Sequence, residues 1–159
     1  MTNSAISEMP EQWEKGFEAL AQIHAQAFSV QGDRPWAAHE LRDIVESAGC
    51  QTYFEYADDL ITGFILTRAV CDEAELITIA VTPDSQKRGT GGRLLDHVTR
   101  VLSDQGVKRL FLEVREDNVA AIKLYRSRGF EDVGRRAAYY QTQGGNRVDA
   151  LCFALILGD

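Results

Sequence analysis

The chain has 159 residues, a length that points to a single domain over 1–159. Its 45% hydrophobic and 26% charged residues are ordinary for a soluble globular domain. The formal net charge of −7, from 24 acidic against 17 basic residues, argues against a nucleic-acid binder, which needs a basic footprint, and suits a cationic protein partner.

In chain order, Met1 to Glu14 holds no apolar run fit for a signal peptide. Pro10 opens a helical pattern in which Trp13, Phe17, Leu20, His24 and Phe28 recur at spacings of three and four. A loop over Ser29–Trp36 leads to a shorter helix over Ala37–Ser47, with Leu41, Ile44 and Val45 on its apolar face. Gln51–Tyr56 and Leu60–Val70 read as a hairpin turning through Ala57-Asp58-Asp59. Glu75–Val81, nearly all apolar or β-branched, reads as a central strand buried on both faces. Gly91–Gln105 is a helix with a stripe of Leu94, Leu95, Val98, Val101 and Leu102, closed by Gly106. A strand over Arg109–Val114 follows, then a helix over Asn118–Arg128 with Asn118 as N-cap and Gly129 beyond its end. Strands over Phe130–Val133 and Val148–Leu157 complete the chain. The order implies a mixed α/β sheet with helices on both faces.

Three cysteines, Cys50, Cys71 and Cys152, are odd in number and form no C-x-x-C pair, so they read as reduced thiols rather than a disulfide framework or a zinc site. His24, His39 and His97 lack paired ligand spacing and read as core or surface residues, so no metal is expected. No segment approaches the length of a membrane span, and the expected compartment is the cytoplasm.

The strongest chemical signal lies between the strand ending at Val81 and the helix that follows. Gln86-Lys87-Arg88-Gly89-Thr90-Gly91-Gly92 sets two cations and a pair of glycines at a helix start. The first amides of a helix have no internal partners and sit at the positive end of its dipole, so they bind phosphate oxygens. A P-loop needs G-x-x-x-x-G-K followed by Ser or Thr, and none occurs. A dinucleotide fold needs G-x-G-x-x-G, and here Gly89-Thr90-Gly91 is followed by Leu94. Without its surroundings the turn would say only that an anionic group docks there.

Gln86-x-x-Gly89-x-Gly91 after Val81-x-Pro83 resembles the acetyl-CoA signature of the GNAT superfamily of N-acetyltransferases. Leu112-Glu113-Val114-Arg115, Asn118 through Tyr125, and Gly129-Phe130 follow at spacings similar to the ribosomal-protein-alanine N-acetyltransferase (RimI-type) branch. Arg135-Arg136, Tyr139-Tyr140, Asp149-Ala150 and, earlier, Arg34-Pro35-Trp36 extend the resemblance. Ala138 stands where that pattern has asparagine, Gln141 where it has proline, and the loop Gln143–Asn146 is one residue longer.

The resemblance implies a mostly antiparallel twisted sheet and acetyl-CoA as co-substrate. It implies that the backbone of Ile79, Ala80 and Val81 holds the pantetheine arm and thioester. The amides of Lys87, Arg88, Gly89, Thr90, Gly91 and Gly92 would cradle the pyrophosphate, and Asn118 would bond the pantetheine. Glu113 would be the general base and Tyr125 the general acid, with Trp36, Tyr139 and Tyr140 touching the acceptor. The acceptor it implies is the N-terminal alanine of a ribosomal protein.

The chemistry agrees. An α-amine has a pKa near ~8 and a lysine near ~10.4, so freeing the lysine at neutral pH costs about 3 kcal/mol more. A carboxylate base, acting directly or through water, suits the α-amine. A strand amide, that of Val81, would stabilise the developing oxyanion. A small-molecule amine or a protein lysine as acceptor, and a non-catalytic acyl-CoA-binding module, are the competing readings.

Overall fold

The computed structural model of the protein describes residues 4–9, 16–29 and 32–158. Seven strands form one sheet in the order β1-β2-β3-β4-β5-β7-β6. They are β1 (Ser4–Glu8), β2 (Cys50–Ala57), β3 (Leu60–Val70), β4 (Glu73–Val81), β5 (Arg109–Arg115), β6 (Glu131–Gln141) and β7 (Arg147–Ile156). Every neighbouring pair is antiparallel except β4–β5. The helices are α1 (Gly16–Phe28), α2 (Ala38–Val45), α3 (Thr90–Asp104) and α4 (Val119–Ser127).

The expected mixed, mostly antiparallel sheet with helices on both faces is what forms. On one face α1 and α2 set Phe17, Leu20, Ile23 and Leu41 against Phe54, Phe64, Leu66 and Ala80. On the other, the α3 stripe of Leu94, Leu95, Val98 and Leu102 packs with Leu110, Leu112 and Phe153, and Tyr125 of α4 joins that cluster. Leu94, Leu95 and Leu102 are fully buried, each worth about 1.5–3 kcal/mol by removal of apolar surface from water. No helix among the described residues is long and apolar enough to cross a membrane.

The local signals act as expected. Asp58 and Asp59 both take positive φ, 50° and 65°, the twist a two-residue hairpin needs. Gly106 and Gly129 close α3 and α4 in the left-handed region, at 84° and 86°. The Asn118 side chain accepts the Ala121 N–H at 3.2 Å, capping α4. The proposed helix start at Pro10 and Trp13 lies outside the described residues, within which α1 begins at Gly16.

Two expectations are corrected, and one strand is not anticipated by the sequence. β4 is central but not buried on both faces: Ala74, Leu76, Thr78 and Ala80 are buried, while Ile77, Ile79 and Val81 are only partly covered. A bulge sets Leu66 opposite Thr78 and Thr67 opposite Leu76, so Ile77 has no partner and the strand changes face there. The strand expected over Phe130–Val133 runs over Glu131–Gln141, held by its ladder to β7 although nearly every residue on it is exposed. β1, a mostly exposed strand paired with β2, has no apolar alternation to announce it.

Candidate active site

The site begins where the one parallel pair comes apart. β4 and β5 pair only over Glu73–Arg109, Ala74–Leu110 and Glu75–Phe111, and then diverge. Thr82 N–H bonds Thr62 O at 2.9 Å, toward β3. Because peptide groups alternate along a strand, the N–H groups of Val81 and Ile79 point the other way, where β5 has left, and that of Ala80 points to β3. The opening is a cavity of about 330 Å³. It is walled by Leu76–Ile79 of β4, Glu113–Arg115 of β5, Asn118, Ala121 and Tyr125 of the following turn and helix, Tyr140 and Gln141 of β6, and His24, Phe28, Asp33, Arg34 and Trp36 of the first half.

The glycine turn lies beside Ile79, which walls this cavity, although no residue of the turn is itself a wall. Lys87 and Gly89 take φ of 59° and 84°, so the chain reverses through the left-handed region before α3. Gly89 is the N-cap and supplies no side chain, leaving the first-turn amides of Thr90, Gly91 and Gly92 uncapped. A Cβ on Gly91 would lie 3.4 Å from Leu124, 3.8 Å from Val81 and 3.9 Å from Ile79, so the turn packs on α4 and on the strand that lines the cavity. A Cβ on Gly92 would come within 2.3 Å of Arg128 Nη2, so this glycine admits a guanidinium beside the helix start. Gln86 donates from Nε2 to Val81 O at 3.3 Å.

A buried carboxylate holds the turn in place. Glu55 of β2 is 1% exposed. It accepts from Thr90 Oγ1 at 3.1 Å, Arg93 Nε at 3.0 Å and Arg93 Nη2 at 2.7 Å. Arg93 also donates to Arg88 O at 2.9 Å, tying the turn's backbone to the same pair. Nothing in the local sequence of Glu55 signals this role.

Around the cavity mouth, His24 stacks between Phe28 and Trp36, with ring centroids 4.4 and 4.7 Å away. Its Nδ1 accepts the Trp36 N–H at 3.3 Å. Burial pushes its pKa down to about 4, against the pull of Glu40, so it is neutral at pH 7. The histidine read as packing is therefore also a cavity wall. Arg115, 5% exposed, pairs with Asp117 and with Asp33, fastening the loop before α2 to the end of β5. Gln143 N–H donates to Gly32 O at 3.0 Å, joining the β6–β7 hairpin to that loop.

Glu113 and Tyr125 line the same cavity. Glu113 Oε1 pairs with Arg136 Nε at 2.9 Å. Tyr125 packs against Phe130 and Phe153, and burial, helped by Tyr140, pushes its phenol well above the ordinary range. Tyr140 reaches the cavity, and its phenol is pushed up to about 12 by burial and then by the charge of Glu113. Tyr139 does not line the cavity: it is half exposed and covers the Arg136 guanidinium, 5.2 Å from ring centroid to Cζ. Ala138, where asparagine was the expected residue, takes φ 51°, a left-handed position that asparagine tolerates better.

The pattern of the acetyltransferase (GNAT) family matches residues 17–130. Ribosomal protein bS18-alanine N-acetyltransferase of Salmonella typhimurium is 48% identical over 99 residues, which are 62% of this chain and 66% of that one. The chain thus spans just under two thirds of the length of this relative. The Haemophilus influenzae protein of the same name is 36% identical over 144 residues, 89% of this chain and 92% of that one. The crystal structure of a ribosomal-protein-alanine N-acetyltransferase from Escherichia coli has the same fold, with a TM-score of 0.88 at 33% identity over 99% of this chain and 96% of that one. With its diverging strands, uncapped helix start and matching sequence pattern, the chain belongs to the GNAT acetyltransferase family.

Proposed function

We propose that the protein transfers the acetyl group of acetyl-CoA to the α-amine of a protein N-terminus, an N-terminal alanine of a ribosomal protein being the favoured acceptor. One observation carries the reading: Ile79 both packs on the glycine turn and walls the cavity that contains Glu113 and Tyr125. A nucleotide end and a reacting end are thereby joined along one strand. The names of the similar proteins support the choice of acceptor. The net charge of −7 suits a cationic acceptor in the cytoplasm and not a nucleic acid.

The chain fits the co-substrate on its own features. The uncapped amides of Thr90, Gly91 and Gly92, with Lys87 and Arg88 beside them, suit a pyrophosphate. The peptide groups of Ile79 and Val81, without a strand partner on the β5 side, suit the amides of a pantetheine arm. Asn118 spends its Oδ1 on the helix cap and retains an NH₂ donor. Acetyl-CoA supplies an activated thioester carbonyl.

The remaining steps belong to protein side chains and backbone. Glu113 takes a proton from the acceptor amine, directly or through water, which leaves the nitrogen lone pair free to attack. The Val81 N–H stabilises the oxyanion. Tyr125 stays protonated in its buried setting and supplies the proton for the departing sulfur. Tyr140 and the His24–Trp36 stack confine the acceptor's first residue.

The test offers purified protein and acetyl-CoA an alanine-starting peptide, the same peptide N-blocked but carrying a lysine, and a polyamine. Acetylation of the first alone is the expected result. Acetylation of the N-blocked peptide or the polyamine in preference would reject the α-amine acceptor. Glu113→Gln and Tyr125→Phe should each lower kcat by about 100-fold or more while acetyl-CoA affinity holds, as for loss of a general acid or base.

A further inference from the structure

Glu113 has a second neighbourhood that the proposed reaction does not use. On its other side lies a cavity of about 410 Å³ on the open sheet face, walled in part by Arg68, Glu75, Phe111, Arg136 and Cys152. Among the described residues Glu113 alone lines both cavities, and Arg136 lines only this rear one.

The register of β6 explains how Arg136 gets there. Arg136 pairs with Ala150 and Tyr140 with Val148, so four steps along β6 match two along β7. The two extra residues are absorbed between them, where Ala138 takes φ 51°. Asp149 pins that kink: its Oδ1 accepts the Ala138 N–H at 2.7 Å and its Oδ2 accepts from Arg135 at 2.7 Å. The kink makes Arg136 and Tyr140 same-face neighbours, as an i, i+2 pair would be in a regular strand. Glu113 shares that face, because it pairs with Cys152, two residues from Ala150. Across from Cys152 on β6 stands Gly134, with no side chain to obstruct the guanidinium. Tyr139 covers the guanidinium and meets Tyr140 edge-on at 5.1 Å.

We propose that Arg136 is a positioning residue: from the rear cavity it holds Oε1 of Glu113, leaving the other carboxylate oxygen to serve the acceptor amine in the front cavity. The kinked β6 therefore brackets one carboxylate, with Tyr140 on its reacting side and Arg136 behind it. This rests on Glu113 being the base, as argued above. Removing Arg136 frees the carboxylate to rotate. Misplacement by 1 Å can cost about 100-fold, and a loosened group that still visits its working orientation loses less, roughly 10-fold.

The experiment measures kcat and both KM values with acetyl-CoA and the alanine-starting peptide for wild type, Arg136→Gln, Arg136→Lys, Glu113→Gln and the Arg136→Gln/Glu113→Gln double variant. Arg136 is 58% exposed on its side chain, so the variants should fold, and thermal melting checks that they do. Arg136→Gln is expected to lower kcat roughly 10-fold with acetyl-CoA KM unchanged, and Arg136→Lys to recover part of the loss. In the Glu113→Gln background, Arg136→Gln should cost nothing further, because the residue it positions is already disabled. Additive losses would overturn the proposal, as would an unchanged kcat in Arg136→Gln. A lowered acceptor KM with raised kcat/KM would overturn it differently, making Arg136 a competitor for the carboxylate. If Glu113→Gln alone leaves the rate intact, the base assignment fails and the positioning role falls with it.

Discussion

Arg93→Met removes a charge while keeping most of the side-chain volume, and its cost follows from what it leaves behind. The Glu55 side chain is 2% exposed and has three partners among the bonds described, of which Arg93 supplies two. After the substitution only the Thr90 hydroxyl remains. Breaking a buried ion pair from one side costs about 3–5 kcal/mol, because the surviving charge is left uncompensated. Arg93 is 44% exposed, so water can enter where its guanidinium lay, and the lower end, about 3 kcal/mol, applies. For a chain of this size that corresponds to a fall in Tm of about 6–12 °C. Urea denaturation and calorimetry at neutral pH on wild type, Arg93→Met, Glu55→Gln and the double variant measure it. The double variant should be more stable than Arg93→Met alone, since it buries no unpaired charge. A loss under about 1 kcal/mol, or a double variant no better than the single, would refute the reasoning. Acetyl-CoA affinity should fall alongside, because Arg93 also holds the Arg88 carbonyl.

Acidification gives a second check. The unfolded chain protonates His24 near its ordinary 6.5 but the folded one only near 4, so stability falls as pH drops through that window, by on the order of 3 kcal/mol at its foot. His24→Phe should flatten this part of the stability–pH curve, and equal slopes in the two proteins would reject the assignment. Gly63→Ala would put a Cβ 2.9 Å from the Ala80 carbonyl and 3.0 Å from the Thr90 methyl, destabilising by about 2 kcal/mol in urea titrations. Ala138→Asn should add about 0.5–1 kcal/mol by relieving a left-handed alanine, read as a Tm rise of about 1–4 °C.

What could be read in advance was local or patterned. The Gln86–Gly92 turn is legible because positive φ and uncapped amides follow from glycines at a helix start, and Asn118 because a cap needs only the next three residues. The α3 stripe is legible because its period is that of a helix. Glu113 and Tyr125 stood out only through the family pattern, since one strand carboxylate and one helix tyrosine have ordinary structural uses. The illegible parts arise from pairing across the chain. Arg93 meets Glu55 across 38 residues, and Arg115 meets Asp33 across 82. Arg136 reaches Glu113 through pairing with β7 rather than through any local pattern, and Tyr140 comes level with Val148 only because β6 kinks after Arg136. β1 and most of β6 carry exposed residues on both faces, so no period-two pattern marks them.

The divergence of β4 from β5 has a consequence for how the family can vary. A sheet that parts internally exposes a row of main-chain donors and acceptors, and any residue can supply those. Side chains at Ile79 and Val81 can therefore drift, so long as they are β-branched or apolar, without loss of the main-chain groups proposed above to read a ligand's amides. The acceptor end proposed above is built oppositely, from side chains on His24, Trp36, Glu113 and Tyr140, the first three held by partners distant in sequence. The strand part of the groove tolerates side-chain change, and under the proposed reading acceptor preference can change at the other end without disturbing it.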